Sequence, residues 1–231
     1  MKLHFLGTGA ADWDIKNPST DINFRRFSSL LIDEVLLIDP GPCVYEFAES
    51  FGYPNLTSGI KYVVNTHSHG DHYNAETLEK LCGGGAEFIK LEAGAAPVCI
   101  GGYRLVALAA NHGTCADAVH ITVESEKDGK RMFYGCDGSW LPYQTYRAIA
   151  ETHFNLMIFD CTVGDKEGDF RIFEHNNIRM VEEMVHTLRP YSDAFMVSHM
   201  ARTLHDTHAQ LVKRLEKSQI KPAHDNLIIT I

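Results

Sequence analysis

The sequence predicts one layered α/β domain over residues 1–231. Short apolar segments of strand length recur along the whole chain, and in its later part they alternate with segments of helical spacing such as 205–217. The chain has 231 residues, of which 45% are hydrophobic, and this is enough for a sizeable core. We therefore expect mainly strands first, and then alternating helices and strands around a common core.

The N-terminal half contains mainly predicted strands. The strand 2–6 is followed by the turn sequence GTGA, and residues 11–27 are polar and irregular, with Trp13 and Phe24 as candidate anchors. The apolar segments SSLLID and VLLID are joined by a tight turn at Asp33–Glu34, which predicts a hairpin. The further elements expected here are a helix over 43–51, a strand over 60–64 and a helix over 75–81 with Asn74 as its cap.

The C-terminal half alternates between the two types of element. The dipeptide Asp128-Gly129 lies between two apolar segments and favours a hairpin. The predicted strands cover 86–90, 103–110, 118–125, 131–136, 156–162 and 194–199, with a possible edge strand over 226–231. The predicted helices cover 141–151, the segment from Asn176 or Asn177 to Leu188, and 205–217.

The composition disfavours several classes of protein. The net charge is −9 and no run of Lys and Arg stands out, so binding to nucleic acid through phosphate contacts is disfavoured. No apolar stretch is long enough for a secretion signal or a membrane span. The six cysteines form no Cys-x-x-Cys pair and lie in apolar segments, which favours buried free thiols in a reducing compartment. We expect a cytoplasmic protein without a membrane or a nucleic-acid polymer as partner.

The segment THSHGDHYN, residues 66–74, carries the strongest functional signal. It places His67, His69, Asp71 and His72 within six positions, directly after a predicted buried strand. Imidazole and carboxylate groups are suitable ligands for zinc, iron and manganese. Because side chains alternate along an extended chain, His67 and His69 point the same way and could hold one metal. Asp71 and His72 follow the turn and could hold a second metal.

Three more candidate ligands each follow a predicted strand: His112, Asp137 and His199. Strand ends that meet at one edge of a sheet are where α/β proteins place their sites. His112 could complete the first metal site and His199 the second, while the two oxygens of Asp137 could bridge both metals. A water shared by the two metals would then be activated as hydroxide near neutral pH.

The pattern His-x-His-x-Asp-His after an apolar strand resembles the signature of the metallo-β-lactamase superfamily of binuclear metallohydrolases. The resemblance continues through the segments FLGTGA, LLIDPG, NHGT, YGCDGS and VSHM, and so extends over nearly the whole chain. It implies a four-layer αββα sandwich, the metallo-β-lactamase fold, with the metals at one edge of the two sheets. It also implies two divalent metal ions. Zinc suits the number of histidines best, and manganese or iron are alternatives. The implied ligands are His67, His69, Asp71, His72, His112, Asp137 and His199.

The segments FDCTVGD, EHNNIRMVEEM and AFMVSHM resemble the tRNase Z and cyclic-phosphate phosphodiesterase branch of that superfamily. In this branch a histidine between the bridging Asp and the last metal ligand assists phosphodiester cleavage, and His175 matches that position. The closest resemblance is to phosphodiesterases of phosphonate breakdown that open ribose cyclic phosphates, although no extra cysteine-based zinc site is evident. The chain also lacks the Gly/Pro-rich arm with which tRNase Z holds tRNA. This absence and the acidic charge argue against a tRNA substrate.

Several residues keep two interpretations. Asp39 ends an apolar strand, where it could serve a turn or accept a hydrogen bond that orients a ligand histidine. His205 and His208 compete with His199 as a metal ligand, but a solvated helix face would explain both of them. We favour His199 because it directly ends a core strand. For three aromatic residues a helix core face is favoured over a pocket wall near the site: Trp140, Tyr143 and Tyr146.

The predicted function is that of a binuclear metallohydrolase. We expect a phosphodiesterase that acts on a small cyclic phosphate or nucleotide-like ester through a metal-bridging hydroxide. Asp71 and His175 are the predicted catalytic residues, and His175 would stabilise or protonate the leaving oxygen. A hydrolase of lactones or other carboxylic esters with the same site is one alternative, and a metal-holding sensor or scaffold without turnover is another. The expected partner is a small-molecule phosphate ester, and a homodimer is suggested only by analogy of fold.

Overall fold

Thirteen strands form two sheets in the computed structural model of the protein, which describes residues 1–231. The strands are β1 (Lys2–Gly7), β2 (Ser29–Ile32), β3 (Leu36–Ile38), β4 (Tyr62–Val64), β5 (Glu87–Phe88), β6 (Val98–Ile100), β7 (Tyr103–Ala109), β8 (Val119–Ser125), β9 (Arg131–Gly135), β10 (Leu156–Asp160), β11 (Phe195–Ser198), β12 (Ile220–Pro222) and β13 (Ile228–Thr230). The first sheet has the order β13-β1-β2-β3-β4-β5, and the second has the order β12-β11-β10-β9-β8-β7-β6.

Helices cover the outer faces of both sheets. They are α1 (Val44–Ser50), α2 (Leu56–Gly59), α3 (Ala75–Gly83), α4 (Tyr143–Ala150), α5 (Ile178–Leu188) and α6 (His208–Leu215). Short 3₁₀ turns add the segments Phe170–Phe173, Arg189–Tyr191 and Glu216–Ser218. Apolar residues of α1 and α3 pack on the first sheet, and those of α4, α5 and α6 pack on the second.

The alternation of side chains along each strand builds four layers. In β2, Leu30 and Ile32 belong to the core between the two sheets, whereas Leu31 lies in the core shared with α1 and α3. In β10, Ile158 lies between the sheets, and Phe159 packs with the helices of the second sheet. Because successive strand residues point to opposite faces, one apolar strand supplies two cores. The predicted αββα sandwich is therefore confirmed.

Strand direction brings the ends of many strands to one edge of the sandwich. β3 is parallel to β4, and β9, β10 and β11 are parallel to one another. β7 is antiparallel to β8, which is antiparallel to β9, so β7 and β9 end on the same side. The segments that follow these strands carry all seven predicted metal ligands.

Local sequence signals account well for the turns and caps. Asp33 and Glu34 both adopt left-handed backbone angles, with φ of 47° and 65°, as a two-residue hairpin turn between β2 and β3 requires. The side chain of Asn74 accepts a hydrogen bond from the backbone N–H of Thr77 and caps α3. Asn177, rather than its neighbour Asn176, caps α5.

Other expectations need correction. The predicted helix over 205–217 begins at His208, because the Thr207 side chain caps it, and His205 therefore precedes the helix. The predicted strand over 86–90 is reduced to two residues, and the sequence analysis did not anticipate α2, β6 or β12. The helix core face expected for three aromatic residues is wrong for Trp140 and Tyr143, which are 45% and 70% exposed, whereas Tyr146 packs against the core.

The long segment 11–27 is fixed by polar and aromatic contacts. The indole Nε1 of Trp13 donates to the backbone oxygen of Met200 at 2.8 Å, and its ring meets Phe24 edge to face at 5.5 Å. The buried guanidinium of Arg26 donates to both oxygens of Glu46, at 2.6 and 2.7 Å. These contacts confirm the two predicted anchors and hold the segment against α1 and against the chain that follows β11.

The cysteines and helices add two simpler findings. Cys82 and Cys99 are exposed, so the expectation that all six thiols are buried is wrong, while the other four are buried. None of the helices combines the length and the apolar character that would be needed to cross a lipid bilayer.

Replacing Thr207 with Ala should lower the free energy of unfolding by about 1 kcal/mol, because it removes the capping box with Gln210 at the start of α6. Urea denaturation measures this loss. Asn55→Ala is the matched control, since Asn55 precedes α2 but makes no side-chain capping bond. Equal losses in the two variants would contradict the capping role.

Candidate metal centre

The His-rich segment is a tight turn that directly follows β4. The backbone oxygen of His69 accepts hydrogen bonds from the N–H groups of His72 and Tyr73, at 3.0 and 2.8 Å, and this reverses the chain. Gly41 allows the turn to pass close by, because a Cβ atom there would lie 2.7 Å from the backbone oxygen of Asp71. The strand β4 and the Pro-Gly-Pro segment 40–42 thus determine the position of the histidine-rich turn.

All seven predicted ligands come together in two groups that share one carboxylate. The first group contains His67, His69, His112 and Asp137, and the second contains Asp71, His72, Asp137 and His199. Within each group, one nitrogen or oxygen of every side chain lies within 4.8 Å of the others. This is the division into two sites that the sequence predicts, with Asp137 between them. The assignment of these side chains as metal ligands remains a prediction.

The hydrogen-bond directions in the second group favour a cation. Nδ1 of His72 donates to the carboxylate of Asp39 at 2.8 Å, and Nδ1 of His199 donates to the hydroxyl of Thr162 at 2.7 Å. When both imidazoles are neutral, each therefore presents a lone pair at Nε2, and the two Nε2 atoms are 3.0 Å apart. Two lone pairs at this distance repel each other unless a positive charge lies between them. The donor set therefore fits a divalent metal ion.

The hydrogen-bond directions in the first group also favour a cation. The Thr66 hydroxyl donates to Asp39 at 2.9 Å, so it accepts the Nδ1 proton of His67 at 3.0 Å. This leaves Nε2 of His67 as a lone pair that is buried and has no hydrogen-bond partner. Nε2 of His112 and Nδ1 of His69 face each other at 3.0 Å. A buried imidazole nitrogen without a partner is costly in the absence of a ligand, and a metal ion would satisfy it.

Asp39 acts through the histidine that it contacts. One carboxylate oxygen accepts from His72, and the other accepts from the backbone N–H and the hydroxyl of Thr66, at 2.7 and 2.9 Å. The side chain is buried, so these bonds fix the orientation of the His72 ring. These contacts agree with the orienting acceptor, one of the two interpretations offered by the sequence, while the role of His72 as a metal ligand stays a prediction.

Asp160 is a site residue that the sequence analysis missed. Its buried carboxylate accepts from Nδ1 of His175 at 3.0 Å and from the hydroxyl of Thr162 at 3.0 Å. It also lies 3.3 Å from Nδ1 of His199 and accepts the backbone N–H of Asn176. A signal was present, because Asp160 ends an apolar strand in the same way as Asp39.

His175 lies between the two carboxylates of the second sheet. Its Nδ1 is 2.8 Å from Asp137 and 3.0 Å from Asp160, and its side chain keeps 15% of its surface exposed. Burial lowers the pKa of His175, but Asp160 and Asp137 together raise it to about 11. The structure thus places the predicted His175 beside the two groups of candidate ligands, with part of its ring open to solvent.

The centre as a whole attracts positive charge. Burial raises the pKa of Asp137, yet the surrounding histidines, His199 foremost, hold it well below its usual value. Burial also lowers the pKa of His199, and the Asp137 and Asp160 carboxylates raise it to about 9. Buried carboxylates that stay ionised require compensation by cations, whether these are protons on imidazole or metal ions.

Three of the site residues have unusual backbone angles. Asp39, Asp137 and His199 adopt left-handed conformations with φ of 64°, 58° and 60°. Such angles are uncommon outside glycine and are tolerated best by Asn, Asp and His. Each of these residues directly follows a strand or lies within two residues of its end, so the strained angle turns the side chain sharply toward the centre.

The two competing histidines lie outside both groups. Nε2 of His205 is 2.6 Å from the backbone oxygen of Cys161, and Nδ1 of His208 is 3.2 Å from a guanidinium nitrogen of Arg25. His199, in contrast, belongs to the second group, and its assignment as a metal ligand stays a prediction.

Replacing Asp39 with Asn should weaken metal binding about 10- to 100-fold, because the orienting acceptor of His72 is lost. Competition with a fluorescent zinc chelator measures this change. Asp193→Asn is the matched control, since Asp193 pairs with His153 at 2.8 Å on the exposed surface. Unchanged affinity in Asp39→Asn would show that His72 does not depend on this carboxylate.

Comparison with solved structures gives matches along the whole chain, whereas no family model and no curated protein matches the sequence. A diphosphatase from the PhnP family has a TM-score of 0.73 and 18% identity, covering 100% of this chain and 97% of that one. The metallo-β-lactamase fold protein YhfI from Bacillus subtilis has a TM-score of 0.73 and 14% identity, covering 99% and 98%. The short form of human tRNase Z has a TM-score of 0.68 and 16% identity, covering 100% and 99%. Together with the two sheets and their order, these matches show that the chain has the metallo-β-lactamase fold.

Proposed function

We propose that the protein is a metal-dependent hydrolase that cleaves phosphodiesters of small molecules. The observation that carries this proposal is the position of His175, which combines a fixed Nδ1 with a partly exposed ring beside the candidate metal ligands. Phosphodiester cleavage expels a poor leaving group, and a positioned proton donor assists that step. Hydrolysis of an activated carboxylic ester needs such a donor less.

The candidate ligands would hold two divalent ions, with Asp137 common to both groups. When bound, such ions activate water and neutralise the charge that develops on a phosphoryl group. Zinc suits a set of five histidines and two carboxylates best, and manganese or iron are alternatives. The orienting bonds from Asp39 and Thr162 keep the Nε2 atoms of His72 and His199 directed at the metal position.

His175 would act as the proton donor to the leaving oxygen. Its Nδ1 is held by Asp160, so Nε2 is the nitrogen left for the substrate. Asp160 is itself fixed by the backbone N–H groups of Thr162 and Asn176, which prevents the ring from turning away. The role that the sequence assigned to His175 is thus supported by a positioned ring with one free nitrogen.

Two further observations favour a small phosphodiester. The similar structures include a diphosphatase and a tRNase Z, whose names denote cleavage at phosphorus. The net charge of −9 disfavours a long polyanion as substrate. We therefore propose a small-molecule phosphate ester as the partner of this site.

The purified protein should contain about two metal ions per chain, as expected for two ligand groups around one shared carboxylate. Elemental analysis measures the metal content, and hydrolysis of bis(p-nitrophenyl) phosphate measures the activity. Chelation should abolish turnover, and zinc, manganese or iron should restore it. Turnover of simple carboxylic esters without turnover of the diester would reject the phosphodiesterase proposal.

His175→Ala should lower kcat about 10²- to 10⁴-fold while metal content is unchanged, because a proton donor is removed but no proposed ligand is lost. The loss should be larger for a diester with an alkyl leaving group than for one that releases p-nitrophenolate. His153→Ala is the matched control, since His153 also pairs with a carboxylate but lies on the exposed surface. An equal loss for both leaving groups would remove proton donation from the role of His175.

A further inference from the structure

Four large aromatic side chains are unusually exposed. Phe170 and Phe173 are 77% and 76% exposed, Tyr143 is 70% exposed and Trp140 is 45% exposed. The other exposed large apolar residues of the chain are aliphatic and lie in separate parts of the sequence. A concentration of exposed aromatic rings in two short segments is typical of a binding surface.

Both segments, residues 140–143 and 170–173, are close in the sequence to residues of the candidate metal centre. Trp140 follows Asp137 by three positions, and Phe173 precedes His175 by two. The hydroxyl of Ser139 donates to the backbone oxygen of Ile172 at 2.6 Å and so joins the two segments.

A second set of bonds ties these segments to the rest of the site. The side chain of Asn176 donates to the backbone oxygen of Gly138 at 2.8 Å, and the backbone N–H of Ser139 donates to the backbone oxygen of Asn111 at 2.9 Å. Asn111 directly precedes His112. The aromatic residues therefore stand on a framework that is held to the site residues.

The candidate metal centre is partly open to solvent, and this opening includes His175. His67, His72 and His199 are at most 2% exposed, whereas His69 and His175 are partly exposed. Solvent therefore meets the centre at these two histidines. His175 is hydrogen-bonded to the 3₁₀ turn that carries Phe170 and Phe173, so this turn adjoins the exposed part of the centre.

We propose that Trp140, Tyr143, Phe170 and Phe173 form an aromatic rim that binds a planar aromatic ring attached to the scissile phosphodiester. The substrate class is then a nucleoside-like phosphodiester rather than a sugar phosphate without a base. This inference rests on the proposed function and narrows its substrate. Stacking on aromatic side chains binds any nucleobase, because every base offers a π-face, and explains why the rings are exposed in the free protein.

A second copy of the chain is the other occupant to consider. An aromatic side chain buries about 150–250 Å² when fully covered, so four partly exposed rings offer on the order of 500 Å². A stable interface needs about 800 Å² from each partner. The rim alone is too small for that purpose but is large enough for one nucleobase.

The test compares two substrates with the same leaving group. Thymidine 5′-(p-nitrophenyl phosphate) carries a base, and methyl p-nitrophenyl phosphate does not. In the metal-loaded protein, Phe170→Ala and Phe173→Ala should each lower kcat/KM for the thymidine ester about tenfold, mainly through KM, and leave the methyl ester unchanged. Val212→Ala is the matched control, because Val212 is 45% exposed on α6. Equal effects on both substrates, or no effect, would overturn the rim.

A binding measurement separates failure of the rim from failure of the proposed function. Calorimetric titration with thymidine 5′-monophosphate and with deoxyribose 5-phosphate needs no turnover. The wild-type protein should bind the nucleotide more tightly, and the two Phe variants should lose that preference. Equal affinity for both ligands overturns the rim even if phosphodiesters are hydrolysed. The Phe variants could instead differ from the wild-type protein in their mass by sedimentation velocity and keep its nucleotide affinity. That result would assign the rings to an interface between copies and would also overturn the proposal.

Discussion

The buried carboxylate of Asp137 is the point at which the two sheets meet. Imidazole nitrogens from both halves of the molecule lie within 3.6 Å of its oxygens, and they belong to His67, His72, His112, His175 and His199. A buried carboxylate without such partners would be strongly destabilising. These contacts can form together only if the two sheets keep one relative position. The apolar core between the sheets sets that position. Packing far from the centre thus determines whether the two groups of candidate ligands can share one carboxylate.

Each sheet supplies its own orienting carboxylate to the centre. Asp39 follows β3 of the first sheet and binds His72, while Asp160 ends β10 of the second sheet and binds His175. In both cases a threonine hydroxyl donates to the same carboxylate and also contacts a histidine. The two supports are alike because both arise at the carboxyl end of a buried strand, where the next residues are free to turn inward. The orientation of His72, His199 and His175 is therefore set by residues at the ends of strands.

The sequence predicts this site well where the signal is local. The four residues of the segment 66–74 are close in the chain, and the other three candidate ligands each follow an apolar strand, so residue type and position suffice to predict that they come together. Asp160 has the same local pattern as Asp39, but its role depends on β10 lying between β9 and β11. That order is a property of the whole sheet and is absent from any local window. The exposure of Phe170 and Phe173 is equally invisible in the sequence, because apolar residues in a short turn are normally expected to be buried. The sequence thus predicts which side chains come together as candidate ligands, whereas the supporting carboxylate of Asp160 and the proposed rim become visible only in the tertiary structure.

The part of the rim formed by Phe170 and Phe173 is joined directly to the proposed proton donor, His175. The backbone oxygen of Arg171 accepts hydrogen bonds from the N–H groups of Glu174 and His175, at 2.9 and 2.8 Å, so the 3₁₀ turn that carries the exposed rings continues into His175. Asp160 then fixes the imidazole at the other end of this unit. A ring bound at Phe173 would consequently lie at a fixed offset from the nitrogen that faces the leaving oxygen. Binding of the substrate's ring and placement of its scissile bond would then be coupled, because one hydrogen-bonded segment determines both.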